Sequence, residues 1–376
     1  VTPERRAKIL SVVGGRPNFV KIAPILEALG EVPGFVSRLV HTGQHYDHAM
    51  SQAFFEELSI PDPDFFLGVG SGSHAEQTAK VMVAFERVLL EERPDLVLVV
   101  GDVNSTLAAA LVAAKCCVPV AHVEAGLRSG DRSMPEEINR ILTDHCADYL
   151  FTPSEDGDEN LLREGIPAGR IHRVGNVMID TLRRCEAAAR RKRAAAALGL
   201  SPGGYALLTL HRPSNVDDPA VFGRILEGLA PLLARLPVVF PIHPRSRKRL
   251  LEFGLEARLA GLPSLRLLAP LGYLSFLSLM MEARLVLTDS GGIQEETTAL
   301  SVPCLTLREN TERPVTVRVG TNRVIGTDPA RLGEETVRVL GGGGPRGSLP
   351  PLWDGQTARR IAGILRERVG RGEETA

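Results

Sequence analysis

The sequence predicts an α/β protein of two Rossmann-like domains, each a doubly wound parallel sheet, facing one another across a cleft. Three observations carry this expectation. Short apolar runs of strand length alternate with helix-period segments along most of the 376 residues. The alternation restarts after Gly175-Asn176, and each half is long enough to bury a full α/β core. Glycines and polar residues stand directly after the apolar runs, where open parallel sheets place their ligand loops.

The first half opens with Lys8 to Val13, which meets Gly14-Gly15-Arg16-Pro17 and then a helical pattern with apolar Val20, Ala23, Leu26 and Leu29. Further strands are expected at Val36 to His41, Leu96 to Gly101, Pro119 to Glu124, Tyr149 to Pro153 and Ile171 to Val174. Helices are expected between them at 48–58, 75–92, 104–115, 136–147 and 155–164. After the seam, an alanine-rich helix carries Arg183-Arg184 and Arg190-Arg191-Lys192-Arg193, charges that suit a solvated face better than nucleic acid. The second half repeats the plan, with strands at Tyr205 to Leu210, Val238 to His243, Leu265 to Leu268, Leu285 to Thr288, Pro303 to Thr306 and Asn322 to Ile325. The glycine run 341–344 and the segment Pro345 to Pro351 connect to a last helix with apolar Ile361, Ile364 and Leu365. The expected domains are therefore 1–174, with the helix 357–376 packing back on it, and a nucleotide-binding domain at 175–356.

The second half is organised around Leu287-Thr288-Asp289-Ser290-Gly291-Gly292-Ile293-Gln294-Glu295-Glu296, a buried strand running through a glycine turn into a helix. Ser290 is expected at the N-cap, its hydroxyl satisfying an orphan amide. Without Cβ atoms at Gly291 and Gly292 the backbone approaches a ligand closely, and the positive end of the helix attracts an anion. Diphosphate fits; an ordinary strand-to-helix turn fits the same residues.

Composition narrows the function. The net charge of -1, from 44 basic and 45 acidic residues, gives no global field for nucleic acid or an anionic membrane, so any anion site is local. Aromatic content of 5% is low for base stacking, and 44% hydrophobic residues suits a soluble enzyme of small-molecule chemistry. Five cysteines, Cys116, Cys117, Cys146, Cys185 and Cys304, lack Cys-x-x-Cys or Cys/His spacing, which argues against disulfides or zinc and for a reducing cytoplasm. No run approaches the ~20 apolar residues of a membrane span, and Lys8 to Val13 is too short for a signal core.

At the expected strand ends stand Arg16, Asp102, Glu124 and the pair His211-Arg212. A carboxylate ending a buried apolar strand is costly without a partner, which favours function for Asp102 and Glu124. Glu136 and Glu137 follow Pro135, where first-turn acids also simply favour the helix dipole. His211 reads either as a satisfied surface histidine or, beside Arg212, as a phosphate donor, and His243 has the same placing. His41, His45 and His48 have only Asp47 nearby and show no metal-ligand spacing. The absence of Gly-x-Gly-x-x-Gly after the first strand disfavours a nicotinamide cofactor, and Gly-x-Ser-x-Gly is absent too.

Taken together, these stretches resemble one family over almost the whole chain, the non-hydrolysing UDP-N-acetylglucosamine 2-epimerases, whose fold is that of GT-B glycosyltransferases and glycogen phosphorylase. Its marks here are Gly15-Arg16-Pro17 with Lys21, Gly43-Gln44-His45, Gly101-Asp102, His122-Val123-Glu124-Ala125-Gly126-Leu127-Arg128, Pro135-Glu136-Glu137-Ile138-Asn139-Arg140, Thr209-Leu210-His211-Arg212, Thr288 to Glu296, and Thr311-Glu312-Arg313-Pro314. The resemblance implies that Arg16, Lys21, His211, Ser290, Gly291 and Gly292 serve the UDP diphosphate and its surroundings. It implies that Glu296 bonds the ribose, that Phe276 and Arg313 close the nucleotide pocket, and that Asp102, Glu124 and Glu136, with His211, form the catalytic set.

The family reaction inverts C2 of UDP-GlcNAc to give UDP-ManNAc. Its route is elimination of UDP to 2-acetamidoglucal and re-addition with a proton delivered to the other face, with no cofactor and no metal. The implied partners are the two nucleotide sugars, with no nucleic acid or membrane, and a homodimer is expected. Arg16 in the first half and His211, Ser290 and Gly291 in the second imply closure of the domains on UDP. Two departures stand out. His211-Arg212-Pro213-Ser214-Asn215 replaces the His-Arg-Arg-Glu-Asn of one branch. The allosteric Gln-His-Arg-x-Met stretch corresponds to Gln44-His45-Tyr46-Asp47-His48-Ala49-Met50, with no arginine from Gly70 to Thr78, which argues against activation by substrate. The rival readings are a hydrolysing epimerase, a GT-B glycosyltransferase and an inert nucleotide-sugar sensor; the carboxylates Asp102, Glu124 and Glu136 oppose the last two.

Overall fold

Every residue of Leu96–Val100 is fully buried, as a strand covered on both faces requires of a continuous apolar run. It is the central strand, β4, of a seven-stranded parallel sheet ordered β3-β2-β1-β4-β5-β6-β7. The other strands are β1 (Ala7–Val13), β2 (Phe35–His41), β3 (Phe65–Phe66), β5 (Val120–Val123), β6 (Tyr149–Thr152) and β7 (Ile171–Arg173). Helices α1 (Arg16–Gly30), α2 (His74–Glu92), α3 (Asn104–Lys115), α4 (Pro135–Cys146) and α5 (Glu155–Arg163) supply the crossovers. A computed structural model gives this architecture, and it describes residues 6–43, 55–256, 259, 261–262 and 264–369.

A second parallel sheet, of six strands, has the order β10-β9-β8-β11-β12-β13. Its strands are β8 (Ala206–Thr209), β9 (Val238–Pro241), β10 (Leu265–Leu268), β11 (Leu285–Thr288), β12 (Cys304–Thr306) and β13 (Asn322–Val324). The chain divides into two compact units, one running to Arg184 and resuming at Pro351, the other Cys185–Pro350. The division falls inside α6 (Val177–Lys192). In the second unit Leu208, Phe222, Phe240, Leu287, Leu305 and Leu332 lie in one buried apolar cluster. Its further helices include α7 (Pro219–Gly228), α8 (Pro244–Glu252), α9 (Tyr273–Glu282), α10 (Gly291–Ala299) and α11 (Pro329–Arg338).

The return of the chain to the first unit is fixed by polar contacts. Trp353, 1% exposed, donates from Nε1 to the Pro153 carbonyl at 2.9 Å. The last helix, α12 (Thr357–Arg368), lies against α1, and Asp180 of α6 accepts from the first-turn amides of Thr357 and Ala358 at 3.1 and 2.7 Å.

The two doubly wound sheets match the expected class. Several expected strands run one or two residues too far. Gly101 and Glu124 leave their strands through left-handed backbone, with φ of 69° at each, and Leu210 and His243 also lie beyond the ends of their strands. The two-residue β3 was not expected, because so short an edge carries no periodic pattern. The helix expected at 48–58 falls largely outside the described residues.

Candidate functional site

In both sheets the strand order reverses between two central strands, β1 and β4 in one, β8 and β11 in the other. The loops at the carboxyl ends of such a pair diverge and leave a crevice for a ligand. Nearly all the sequence-predicted residues follow these four strands or their neighbours.

In the first unit, Asn18 of α1 spans the reversal. Its Oδ1 accepts from the Gly14 and Gly15 amides, each at 3.1 Å, and its Nδ2 donates to the Val100 carbonyl at 2.8 Å. Beside it, Lys21 and Glu124, 5% and 4% exposed, form an ion pair. A Cβ at Gly101 would stand 2.8 Å from Lys21 Nζ, so the turn after β4 needs a residue without one. Glu124 itself sits in the left-handed region, a conformation costing a non-glycine residue about 1–2 kcal/mol. Its surroundings hold it there. His122 lies with Nδ1 2.6 Å from Asp144 Oδ1 and Nε2 2.8 Å from the Gly101 carbonyl. Asp144 also accepts from the Gly126 amide at 3.0 Å and pairs with Arg128 at 2.8 Å. Burial opposes the charge on Asp144, but His122 and Arg128 outweigh it and hold the carboxyl below its usual range. The His122–Asp144 pair thus ties the Asp102 turn to the Glu124 turn.

Asp102 follows Gly101, and its Oδ2 accepts from Arg140 Nη1 at 2.5 Å. The partner that a carboxylate at a strand end demands is therefore supplied by α4. Glu136 is half-buried in the first turn of α4, whereas its neighbour Glu137 is 2% exposed and accepts from the Ser129 and Gly130 amides and from Arg140. Arg16 opens α1 as its first residue. Of His41, His45 and His48, only His41 is among the described residues. It stacks between the rings of Phe19 and Phe66, and burial pushes it down to about 4. Its Nδ1 accepts from the Gly43 amide at 2.9 Å. Among the described residues no three His, Cys, Asp or Glu side chains cluster to hold a metal, and no helix is long and apolar enough to cross a membrane. The Gln44 to Met50 stretch lies outside the described residues.

In the second unit the reversal is bridged by Asp289, fully buried after β11. It accepts from the amides of His211 and Arg212, each at 2.9 Å, and from Asn215 Nδ2 at 3.2 Å, while His211 Nδ1 lies 2.8 Å from its Oδ1. Burial works against the ionised form, yet His211 and these amides together hold Asp289 below the ordinary range. The His211 imidazole, 38% exposed at its side chain, is thereby fixed through one nitrogen.

Ser290 is the N-cap of α10, but its hydroxyl makes no capping bond, contrary to the sequence expectation. Its own amide donates to Thr288 Oγ1 at 3.0 Å, which fixes the turn and leaves the first-turn amides without a side-chain cap. Gly291 starts the helix at a point where a Cβ would meet Glu312 Oε1 at 2.6 Å and Arg313 Nη1 at 2.8 Å. Gly292 follows it in the first turn. Around this helix start three arginines and two glutamates are linked. Arg313 pairs with Glu295 at 2.9 Å and Glu312 at 2.7 Å, Arg308 reaches Glu312 at 2.8 Å, and Arg212 stands 3.6 Å from it. Three guanidiniums thus stand beside the positive end of a helix, a source of positive potential of the kind an anion site uses. One turn deeper, Glu296 is 4% exposed and accepts from Tyr273 Oη at 2.8 Å; Phe276, half-buried, lies one turn along α9 from Tyr273.

The roles of Glu137, Arg140, Asp289 and Tyr273 did not emerge from sequence reasoning. Asp289 had a legible signal, since it too ends a buried strand; Arg140 and Tyr273 have none, because their partners are distant in the chain.

The family model for UDP-N-acetylglucosamine 2-epimerase matches residues 27–366. The chain is similar to a UDP-N-acetylglucosamine 2-epimerase of Methanocaldococcus jannaschii, 46% identical over 363 residues, 95% of this chain and 98% of that protein. It is also similar to a UDP-2,3-diacetamido-2,3-dideoxy-D-glucuronate 2-epimerase of Pseudomonas aeruginosa, 42% identical over 338 residues, 89% of this chain and 92% of that one. The crystal structure of the M. jannaschii UDP-GlcNAc 2-epimerase in complex with UDP-GlcNAc and UDP matches with a TM-score of 0.89 at 44% identity, covering 96% of this chain and 99% of that chain.

Proposed function

Because the chain belongs to the UDP-N-acetylglucosamine 2-epimerase family, we propose that it interconverts UDP-GlcNAc and UDP-ManNAc without releasing free sugar. The observation that carries this reading is the convergence of Asp102 and Glu124 on the Gly101 turn, each carboxylate held by a buried cation, Arg140 and Lys21. Epimerisation at C2 needs a base on one face and an acid on the other, and no carbonyl neighbours that carbon to acidify its proton.

In the forward elimination a carboxylate takes the C2 proton, the C1–O bond to the β-phosphate breaks, and its electron pair leaves with UDP as a C1=C2 double bond forms. In the return step a UDP oxygen bonds C1 and a proton reaches the opposite face of C2. Atoms and charge balance without an oxidant or reductant. The leaving diphosphate needs stabilisation as its charge grows, which the start of α10, Ser290 to Gly292, supplies together with His211 and Arg313. Glu296 takes the ribose hydroxyls, and Phe276 flanks the nucleotide pocket. Glu136, in the first turn of α4, completes the carboxylate set.

A homodimer is part of the same reading. Val83 and Leu90 on α2 are 57% and 60% exposed and Leu142 on α4 is 46% exposed, apolar surface of the kind an association buries. Five cysteines without disulfides accord with a reducing cytoplasm.

Proton NMR of the purified chain with UDP-GlcNAc in D₂O tests the reaction. UDP-ManNAc carrying deuterium at C2 is expected. Free ManNAc as the main enzymatic product, or no exchange at C2, overturns the non-hydrolysing reading. The Pseudomonas relative motivates a parallel incubation with UDP-2,3-diacetamido-glucuronate. Exchange at C2 of that sugar alone assigns the chain to the oxidised substrate.

A further inference from the structure

Arg140 is 2% exposed and lies between two carboxylates. Its Nη1 donates to Asp102 Oδ2 at 2.5 Å, while Nε and Nη2 donate to Glu137 Oε2 at 3.1 and 2.6 Å. Glu137 is itself anchored: its oxygens accept from the Ser129 amide at 3.1 and 3.0 Å, from Ser129 Oγ at 3.0 Å and from the Gly130 amide at 2.8 Å. Burial disfavours the charge on Glu137, but these donors and Arg140 outweigh it and lower its pKa. The same helix grips the Asp102 main chain, because Asn139 Nδ2 donates to its carbonyl at 2.9 Å. A planar guanidinium is thus fixed from both sides, a geometry that the point charge of a lysine does not reproduce.

We propose that Arg140, braced by Glu137, is a positioning residue that sets both the orientation and the ionisation of the Asp102 carboxylate. The role rests on the reading of Asp102 as a catalytic group. One guanidinium shared by two carboxylates offers each less than a full counter-charge. Without the Arg140 cation, Asp102 takes a proton more readily; without the Glu137 charge, Arg140 acts on Asp102 alone and the carboxylate resists protonation further. The two changes therefore act with opposite sign, which a role in packing alone does not produce.

Other charged groups stand close. Lys21 of α1 and Glu124 after β5 lie against the neighbouring Gly101, His122 bonds the Gly101 carbonyl, and His74 of α2 contacts Asn104, to which Asn139 also bonds. All of them remain in each variant, so the opposition of sign isolates the Arg140–Glu137 pair.

The test measures kcat and KM against pH with UDP-GlcNAc in wild type, Arg140→Gln, Arg140→Lys, Glu137→Gln and Asp102→Asn, with UDP affinity and thermal melts for each. Arg140→Gln is expected to move the limb of kcat that Asp102 sets, the acid limb for a base and the alkaline limb for an acid, upward by about one pH unit, and Glu137→Gln to move it downward. Arg140→Lys keeps the charge and loses the fork, so its limb stays near that of wild type while kcat falls by about 10²-fold, with KM changed less than about threefold. Should Arg140→Gln fail to fold, the other two variants carry the test. Limbs that coincide with wild type or move in one direction, or Arg140→Lys turning over within about twofold of wild type, overturn the proposal. Asp102→Asn distinguishes the deeper failure. If it turns over like wild type, the catalytic reading of Asp102 falls and the proposal with it; if it is inactive while the limbs do not move, the proposal alone falls.

Discussion

Tyr273 donates its hydroxyl to Glu296 Oε1 at 2.8 Å, joining α9 to the second turn of α10 through two buried side chains. Burial pushes Glu296 up to about 7, while the Tyr273 hydrogen bond pulls it down. Its protonation state therefore changes near neutrality, at the position proposed to meet the ribose.

Affinity for UDP is expected to rise between about pH 6 and pH 8, because ionised Glu296 accepts two ribose hydroxyls and the protonated acid accepts fewer. In Tyr273→Phe the donor that favours ionisation is lost, so the rise is expected at higher pH. Calorimetry on both proteins checks this. The titration of the UDP phosphate is common to the two, and coincident profiles exclude coupling of Glu296 to the nucleotide.

The same group has a stability consequence with a definite sign. Its folded value lies above the ordinary 4.5, so the stability it contributes is fully present below that value and lost as pH rises through about 7. Glu296→Gln is expected to match wild type near pH 4 and to exceed it at pH 8 by roughly 1–3 kcal/mol. Urea melts at the two pH values decide it, and a variant equal to wild type at both shows that the carboxylate is not strained by burial.

Glu124→Gln is expected to reduce kcat by about 10² to 10⁴ while UDP still binds. It also leaves Lys21 buried opposite an amide, at a cost of about 3 kcal/mol. Lys21→Met combined with Glu124→Gln is expected to recover most of that stability and none of the turnover. Recovery of turnover in the double variant, measured by the D₂O exchange assay, contradicts a chemical role for Glu124.

Gly291→Ala places a methyl group where Glu312 and Arg313 stand, 2.6 and 2.8 Å away. Displacing that ion pair is expected to weaken UDP binding at least about tenfold and to destabilise the fold by about 1–3 kcal/mol. Undiminished UDP affinity by calorimetry shows that the start of α10 does not hold the nucleotide.

The fold was legible because parallel strands buried on both faces write themselves as unbroken apolar runs, as Leu96–Val100 and Leu285–Thr288 do. The strand-end placing of Asp102, Glu124 and His211 was legible for a related reason: a polar group after such a run is conspicuous. The partners were not. Arg140 lies 38 residues from Asp102, Lys21 103 from Glu124 and Asp289 78 from His211, and no local pattern encodes separations that the topology closes. Ser290 misled because its residue type and position fit a capping hydroxyl, and only the Thr288 side chain, already bonded to the Ser290 amide, distinguishes the turn that forms. Glu136 and Glu137 are adjacent and alike in sequence, yet the helix turns one into a loop anchor and leaves the other half-buried.

The left-handed backbone at Glu124 makes glutamate a poor occupant of its own position. Glycine or asparagine adopts that conformation more readily, and either residue, accompanied by an apolar replacement for Lys21, removes a buried charge pair as well. A library selected for thermal tolerance alone is therefore expected to rewrite positions 21 and 124 together, and, on the role proposed for Glu124, to lose turnover as it does so. Screens of this chain for robustness need an activity counter-selection at those two positions.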